Sequence, residues 1–290
     1  MFRYLLLLVF LTSLGLGCSS SRGAKEAPGL AAEIAQLRND YQRLRSELVE
    51  IRAARQSIKH VSDAIVELAA SVSPSVVRIS SDLRYLKKNG GGFIYNRDGI
   101  ILTHDHLLWI DLPNTEGVVK RHYARLIKVW LHDGRRAEAR IVGIDPDTDL
   151  AALKIDLEDL PEPLQLSERR LQQGEMAFSI GHPLQLPFSL EWRPISATYR
   201  SGRLPGTDVH QVDRGFFDGN SGGPLFDLDG KVVGLIYSTF NYKDRAYRDP
   251  TDPTRERKVV YSTIGWAVPS ETMTRIAPEL IDGAFIFDPQ

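Results

Sequence analysis

The chain has 290 residues, with 36 Lys and Arg against 37 Asp and Glu, for a formal net charge of -1. That balance excludes attraction to nucleic acid or anionic lipid through overall charge, and 23 Gly with 16 Pro are too few for a collagenous or low-complexity chain. A single cysteine, Cys18, excludes an intrachain disulfide and a four-cysteine zinc site.

The first predicted element is an address. Arg3 is followed by an apolar run from Leu5 to Leu16, then Gly17 and Cys18. One positive charge, a short apolar core and small residues before a break predict a secretory signal peptide over 1–17. The run is shorter than the roughly 20 residues that a spanning helix needs. It resembles a bacterial lipoprotein signal, in which a Cys after a short box is lipidated and becomes the new N-terminus. The usual box has Leu three residues before the Cys, whereas here Gly15 stands there between Leu14 and Leu16. Two outcomes follow: lipidation of Cys18, with Ser19, Ser20 and Ser21 opening a tether over 18–29, or a plain signal peptide with an unmodified cysteine. Both place the mature chain outside the cytoplasm, in the cell envelope or periplasm, and lipidation would hold it at a membrane.

Residues 30–72 read as a helical stalk. Leu30, Ile34, Leu37, Tyr41, Leu44, Leu48 and Ile51 alternate by four and three, the spacing of a coiled-coil seam. Arg55 interrupts the stripe and Ile58 resumes it. A second stretch with Val61, Ile65, Val66 and Leu68 runs into Ser73-Pro74, where proline ends the helix. The stripe predicts either self-association, of a stoichiometry the mixture of Tyr, Ile and Leu leaves open, or a helix lying on its own domain.

From residue 73 to 290 the pattern is one of strands. Ser75–Ile79, Gly92–Tyr95, Ile100–Thr103 and Leu126–Leu131 are short β-branched or aromatic runs. Asn96–Gly99, Asp133-Gly134 and Asp229-Gly230 supply turns. This succession without alternating long helices predicts an all-β antiparallel barrel or sandwich. A short helix is expected over about Ser270–Leu280.

The chemistry centres on Gly219-Asn220-Ser221-Gly222-Gly223-Pro224-Leu225. A serine hydroxyl becomes a nucleophile only beside a base. Flanking glycines allow a tight turn that aims N–H groups, here those of Gly219 and Ser221, at a developing oxyanion. Alone, the motif also fits an ordinary glycine-rich hairpin. The base must be a histidine with an acceptor behind it. His104 and His106 end an apolar strand, and Asp149 opens the apolar run Leu150–Ile155, while Asp145 and Asp147 belong to the polar turn before it.

Three segments in the order His, Asp, Ser resemble the trypsin-like serine peptidases of the bacterial HtrA/DegP type. Gly90-Gly-Gly-Phe-Ile-Tyr-Asn-Arg-Asp-Gly-Ile-Ile-Leu-Thr-His-Asp-His106 is similar to that family's Gly-Ser-Gly and Ile-Leu-Thr-Asn-Asn-His pattern. Thr148-Asp-Leu-Ala-Ala-Leu-Lys154 is similar to its acid segment, and Gly219–Leu225 to its nucleophile segment. Gly174 to Pro183 and Ile264 to Pro269 add support. The resemblance spans about residues 70–282. It implies two six-stranded antiparallel barrels with a triad in the cleft between them, His106 as base, Asp149 as its orienter, Ser221 as nucleophile, and protein or peptide substrates, unfolded or damaged envelope proteins among them. A catalytically silent binding or assembly module on the same fold is the alternative.

Departures from the family are expectations too. Relatives often carry PDZ domains after the peptidase domain, and only residues 282–290 follow the last helix here. The charged stretch 241–258 reads as a solvated loop or a substrate-facing lid. Phe216 and Phe217 stand where the family more often has small or polar residues, so a collapsed loop there would leave the oxyanion hole unformed. Arg193, Arg200 and Arg203 read as solvated loop charges, and Trp192 and Trp266 as packing residues. With no third ligand identifiable beside His104 and His106, no metal or cofactor is expected, nor is a nucleic-acid partner.

Overall fold

The computed structural model describes residues 27–113, 117–204, 206–237, 247–248, 256–257 and 264–283. The signal segment 1–17, Cys18 and most of the tether lie outside the described residues, as does most of the charged stretch 241–258. The chain divides between Asp63 and Ala64 into two units. The first holds most of helix α1 (Ala27–Val72) with the predicted stripe, whose residues from Leu30 to Ile58 are exposed, from 44% at Ile34 to 71% at Ile58.

The second unit opens with the end of α1, where Leu68, Ala69 and Val72 pack against the domain core. A single turn, Ser73–Ser75, follows with Pro74 inside it, and the chain becomes extended at Val76. The strands are β1 (Val76–Asp82), β2 (Lys87–Ile94), β3 (Ile100–His104), β4 (Trp109–Pro113), β5 (Val119–Tyr123), β6 (Leu126–Trp130), β7 (Arg136–Asp145) and β8 (Leu150–Ile155). After them come β9 (Met176–Gly181), β10 (Ser189–Leu204), β11 (Thr207–Asp213), β12 (Pro224–Phe226), β13 (Val232–Tyr237), β14 (Tyr247–Arg248), β15 (Glu256–Arg257) and β16 (Ile264–Pro269). Two closed antiparallel barrels result, β1-β2-β3-β8-β7-β6 and β10-β11-β16-β13-β12-β9. The fold is the expected double barrel of six strands each. Closure removes the free edges that an open sheet would expose.

Local chemistry accounts for the register. Asn96 Oδ1 accepts the N–H groups of Asp98 and Ile100, and Gly99 takes φ +80°, which turns β2 into β3. Helix α2 (Ser270–Ile281) buries Met273, Ile276, Ala277 and Leu280, a spacing that makes one apolar stripe. That stripe joins the core shared by both barrels, with Phe93 and Leu102 from the first and Phe178, Phe226 and Val268 from the second. Gly143 on β7 admits this helix, since a Cβ there would strike the Leu280 carbonyl.

Two elements depart from the sequence-based expectations. The hairpin β4–β5 stands outside both barrels and begins directly after the turn that carries His106. Arg193 is not a solvated loop charge: it lies within β10 and is buried. By contrast Trp266 is buried in the core and Trp192 packs on Phe178, as expected of packing residues.

Two of the three buried histidines among the described residues, His182 and His210, stand apart from Asp149 and are expected to make the fold acid-sensitive. His182 donates from Nε2 to the Val77 carbonyl and accepts the Phe188 N–H at Nδ1, so its bonds belong to the neutral ring. Burial pushes its pKa down to about 4. Burial does the same at His210, also to about 4, against a small upward pull from Glu271. In the unfolded chain both titrate near the ordinary 6.5, so the unfolded state takes up these protons first. Their stability contribution is therefore complete above pH 6.5 and is lost as pH falls toward 4. Each is expected to remove about 3 kcal/mol over that window. Urea unfolding between pH 7 and 4 checks this. His210→Phe, which keeps an edge contact with Tyr199, should remove one share of the slope, and an unchanged slope would refute it.

Candidate active site

The site begins where β3 ends. After His104 the chain makes one turn, Asp105–Leu107, which places His106 at the rim of the first barrel with its side chain 26% exposed. Asp149 immediately precedes β8, the neighbour of β3, and β3 pairs His104 with Leu150. Asp149 has φ +58°, a left-handed conformation that Asp tolerates better than most residues. Around it converge the His106 N–H to Oδ1 at 2.8 Å, His106 Nδ1 to Oδ2 at 2.5 Å, and the Asp105 N–H to the carbonyl at 2.9 Å. His104, wholly buried, adds Nδ1 to the same carbonyl at 2.7 Å.

These contacts decide the charge of Asp149. Burial alone would push its pKa up, but His104, His106 and the hydrogen bonds of His106 together hold it below the ordinary carboxylate value. The pKa of His104 is lowered as well, since burial outweighs the pull of Asp149 and favours the neutral ring. The set is a carboxylate with an imidazole on either side, and the imidazole facing outward is His106. Asp145 and Asp147 do not join it. Asp145 accepts the Thr148 hydroxyl at 2.6 Å and shapes the preceding turn.

His104, His106 and Asp149 also form the kind of group that can hold a metal ion. Their direct contacts of 2.5 and 3.2 Å are hydrogen-bond separations. Two ligands about 2.0–2.2 Å from one zinc ion would stand farther apart. The donors bond to one another, so the arrangement fits an oriented imidazole rather than a ligand set.

Ser221 reaches the first barrel through glycines. Its carbonyl accepts the Gly91 N–H at 2.8 Å. A Cβ at Gly90 would strike Leu107, the residue after His106, and the Ser221 carbonyl; a Cβ at Gly91 would crowd Gly223. Gly90 and Gly91 are therefore the place where β2 and the serine turn approach backbone to backbone. Ser221 itself is 3% exposed. The turn around it is fixed by Gly222 N–H to Ile236 O at 2.8 Å and Gly223 N–H to Asn220 O at 3.0 Å. Gly219 has φ +102°, and a Cβ there would collide with the His182 carbonyl.

The two phenylalanines divide. Phe216 is buried, against Gly265 of β16, and Phe217 is 53% exposed. The segment before Ser221 is built of specific bonds: Asn220 N–H to Phe217 O at 3.1 Å, and Leu184 N–H to Asp218 O at 2.9 Å.

Several neighbours carried no signal in the sequence. The Tyr237 ring stands edge-on to both His104 and His106, with centroids 5.3 and 5.2 Å away. Burial, with the negative charge of Asp149, pushes its phenol up to about 12. Lys88 donates to the carbonyls of His106 and Trp109, each at 2.7 Å. Asp105 turns away from Asp149 toward Trp109 Nε1 at 3.0 Å and Arg121 at 3.4 Å, and burial raises its pKa to about 6.

Comparison with known proteins places the chain in a family. A family model described as a trypsin-like peptidase domain matches residues 90–235. A probable periplasmic serine endoprotease, DegP-like, of Marinomonas sp. is 40% identical over 149 residues, 50% of this chain and 29% of that protein. The Chlamydia trachomatis protein of the same description is 34% identical over 194 residues, 66% of this chain and 33% of that one. The matched region spans about a third of these relatives' length. Among solved structures, the HtrA-type protease AlgW with a tripeptide has TM-score 0.61 and 28% identity, covering 76% of this chain and 64% of that chain. The serine endoprotease from Yersinia pestis has TM-score 0.58 and 29% identity, covering 76% and 67%. With its paired six-stranded barrels and the family model matched over half its length, the chain belongs to the trypsin-like peptidase family, among homologues of the HtrA/DegP type.

Proposed function

We propose that this chain is a serine endopeptidase of the cell envelope. The observation that carries the reading is the hydrogen-bonded pair of His106 and ionised Asp149 at the rim of the barrel to which the Ser221 turn is bonded. His106 takes the proton of Ser221 Oγ as the oxygen attacks a peptide carbonyl. The N–H groups of Gly219 and Ser221 hold the resulting oxyanion. His106 then gives its proton to the leaving amine. In the second half it deprotonates a water that releases the acyl group from Ser221. Asp149 orients the imidazole and balances its positive charge throughout.

Protein or peptide chains are the substrates in this reading. Unfolded or damaged envelope proteins are the substrates that the HtrA/DegP resemblance implies, and the relatives' description as periplasmic endoproteases supports the envelope location. Lipidated Cys18 supplies the membrane attachment, and the exposed stripe of α1 supplies homo-oligomerisation through a coiled coil. The test is labelling by a fluorophosphonate probe, followed by mass spectrometry of the tryptic peptides. One adduct, on Ser221, is the expected result. Absence of labelling under conditions that label a known serine peptidase would leave the alternative, a silent trypsin-fold binding module.

A further inference from the structure

Two charged side chains on β10, Arg193 buried and Glu191 partly buried, contact the loop that leads into Ser221. Glu191 and Arg193 are two residues apart and so share one face of the strand. Their side chains are 18% and 7% exposed, with Arg193 Nη2 3.0 Å from Glu191 Oε2. Arg193 Nη1 donates to the Asp213 carbonyl at 3.2 Å, and its guanidinium lies over the Phe216 ring, 4.6 Å from the centroid. Glu191 Oε2 accepts from Asn220 Nδ2 at 3.0 Å, and Asn220 Oδ1 accepts the His182 N–H at 3.1 Å. One ion pair thereby touches the start, the middle and the end of the segment Asp213–Asn220.

Stability does not account for this pair. Buried ion pairs contribute little, and apolar residues of similar volume often serve as well or better. Arg193 Nε also has no hydrogen-bond partner among the described residues, which adds a desolvation cost. Its contacts are instead geometric, and they fall on a strained segment, with Arg214 at φ +58° and Gly219 at φ +102°. An oxyanion hole works only when its donors are already in place. We propose that Glu191 and Arg193 clamp Asp213–Asn220 in the shape that presents the Gly219 and Ser221 N–H groups, making both of them positioning residues for peptide hydrolysis. The kinetic part rests on the serine-peptidase reading, and the structural part does not.

The experiment compares the full chain with the double variant Glu191→Leu/Arg193→Met, which removes the pair without stranding a buried charge. Arg193→Lys is the conservative variant, keeping the charge but not the planar fork. With a fluorogenic peptide, the double variant is expected to lose about 100-fold in kcat, the scale of losing one oxyanion donor. Its KM should stay near wild type, its unfolding temperature should not fall, and Arg193→Lys should recover part of kcat. Wild-type kcat in a folded double variant overturns the proposal. If the double variant fails to fold, Arg193→Lys decides: reduced kcat at unchanged KM supports the clamp, and wild-type kcat overturns it. If the wild-type chain itself neither cleaves nor labels, the serine-peptidase reading fails on its own. The clamp is then judged by amide hydrogen exchange over 214–220, faster exchange in the variant supporting it and unchanged exchange overturning it.

Discussion

Ser221→Ala is expected to lower kcat by about 10⁵- to 10⁶-fold on a peptide substrate, with the unfolding temperature held near wild type. In the proposed mechanism the loss of Ser221 Oγ removes the acyl-enzyme route, and neither His106 nor the backbone N–H groups can replace a missing oxygen. The fold tolerates the change because the contacts of this residue that set the turn are backbone ones. The Ser221 carbonyl still accepts the Gly91 N–H, and Gly222 and Gly223 keep their bonds to Ile236 and Asn220. Alanine keeps the Cβ, so no glycine-like freedom is introduced. Deleting one buried hydroxyl costs on the order of 1 kcal/mol. Steady-state cleavage of casein and of a fluorogenic peptide checks the rate, and thermal unfolding checks the fold. A folded variant retaining more than a few per cent of wild-type activity would mean that another residue is the nucleophile.

The residues that meet at this site were legible in the sequence to different degrees. Asp149 was readable because a carboxylate opening an apolar run sits at the start of a buried strand, which is where β8 places it. Ser221 was readable because its flanking glycines allow the tight turn a nucleophile needs, and Gly90–Gly92 only through the family resemblance; the crowding at Gly90 and Gly91 supplies the physical reason for those two glycines. Tyr237 and Lys88 were not readable. They reach His106 from β13 and β2, across distances in sequence that no local pattern records. Arg193 was misread although β10 pairs with β9 in unbroken register around it; a cation between Trp192 and Pro194 carries no local sign of the partners that bury it, Glu191 and Phe216. The hairpin β4–β5 escaped because β5 is exposed or half-buried along its whole length and offers no apolar face to count. For α1 the periodicity marked the apolar face correctly, but it cannot say what covers it. The same repeat that is exposed from Leu30 to Ile58 ends in Leu68 and Val72, which enter the domain core.

Asp149→Asn is the second large effect, a loss of about 10⁴-fold in kcat with the chain still folded. The left-handed φ of +58° is one that asparagine also adopts, so the backbone need not move. Its carbonyl can still take the Asp105 N–H and His104 Nδ1. What changes is the acceptor. The carboxylate takes both the His106 backbone N–H and the ring Nδ1–H, at 2.8 and 2.5 Å. An amide offers one oxygen and, on its other side, two donors. One of the two bonds must fail, and the ring is then free to present a proton rather than a lone pair to Ser221. The charge is lost as well. Because the carboxyl of Asp149 is held below the ordinary carboxylate value, it is ionised wherever the enzyme would work, and its removal leaves the imidazolium of the transition state unbalanced. Asp105→Asn is the internal control, one residue from His106 but with its carboxyl turned to Trp109 and Arg121. Its backbone N–H, the part that holds Asp149, is untouched by the substitution, so kcat should stay within a few-fold of wild type. Equal losses in the two variants, or a loss below tenfold in Asp149→Asn, would show that His106 is oriented by something other than this carboxylate.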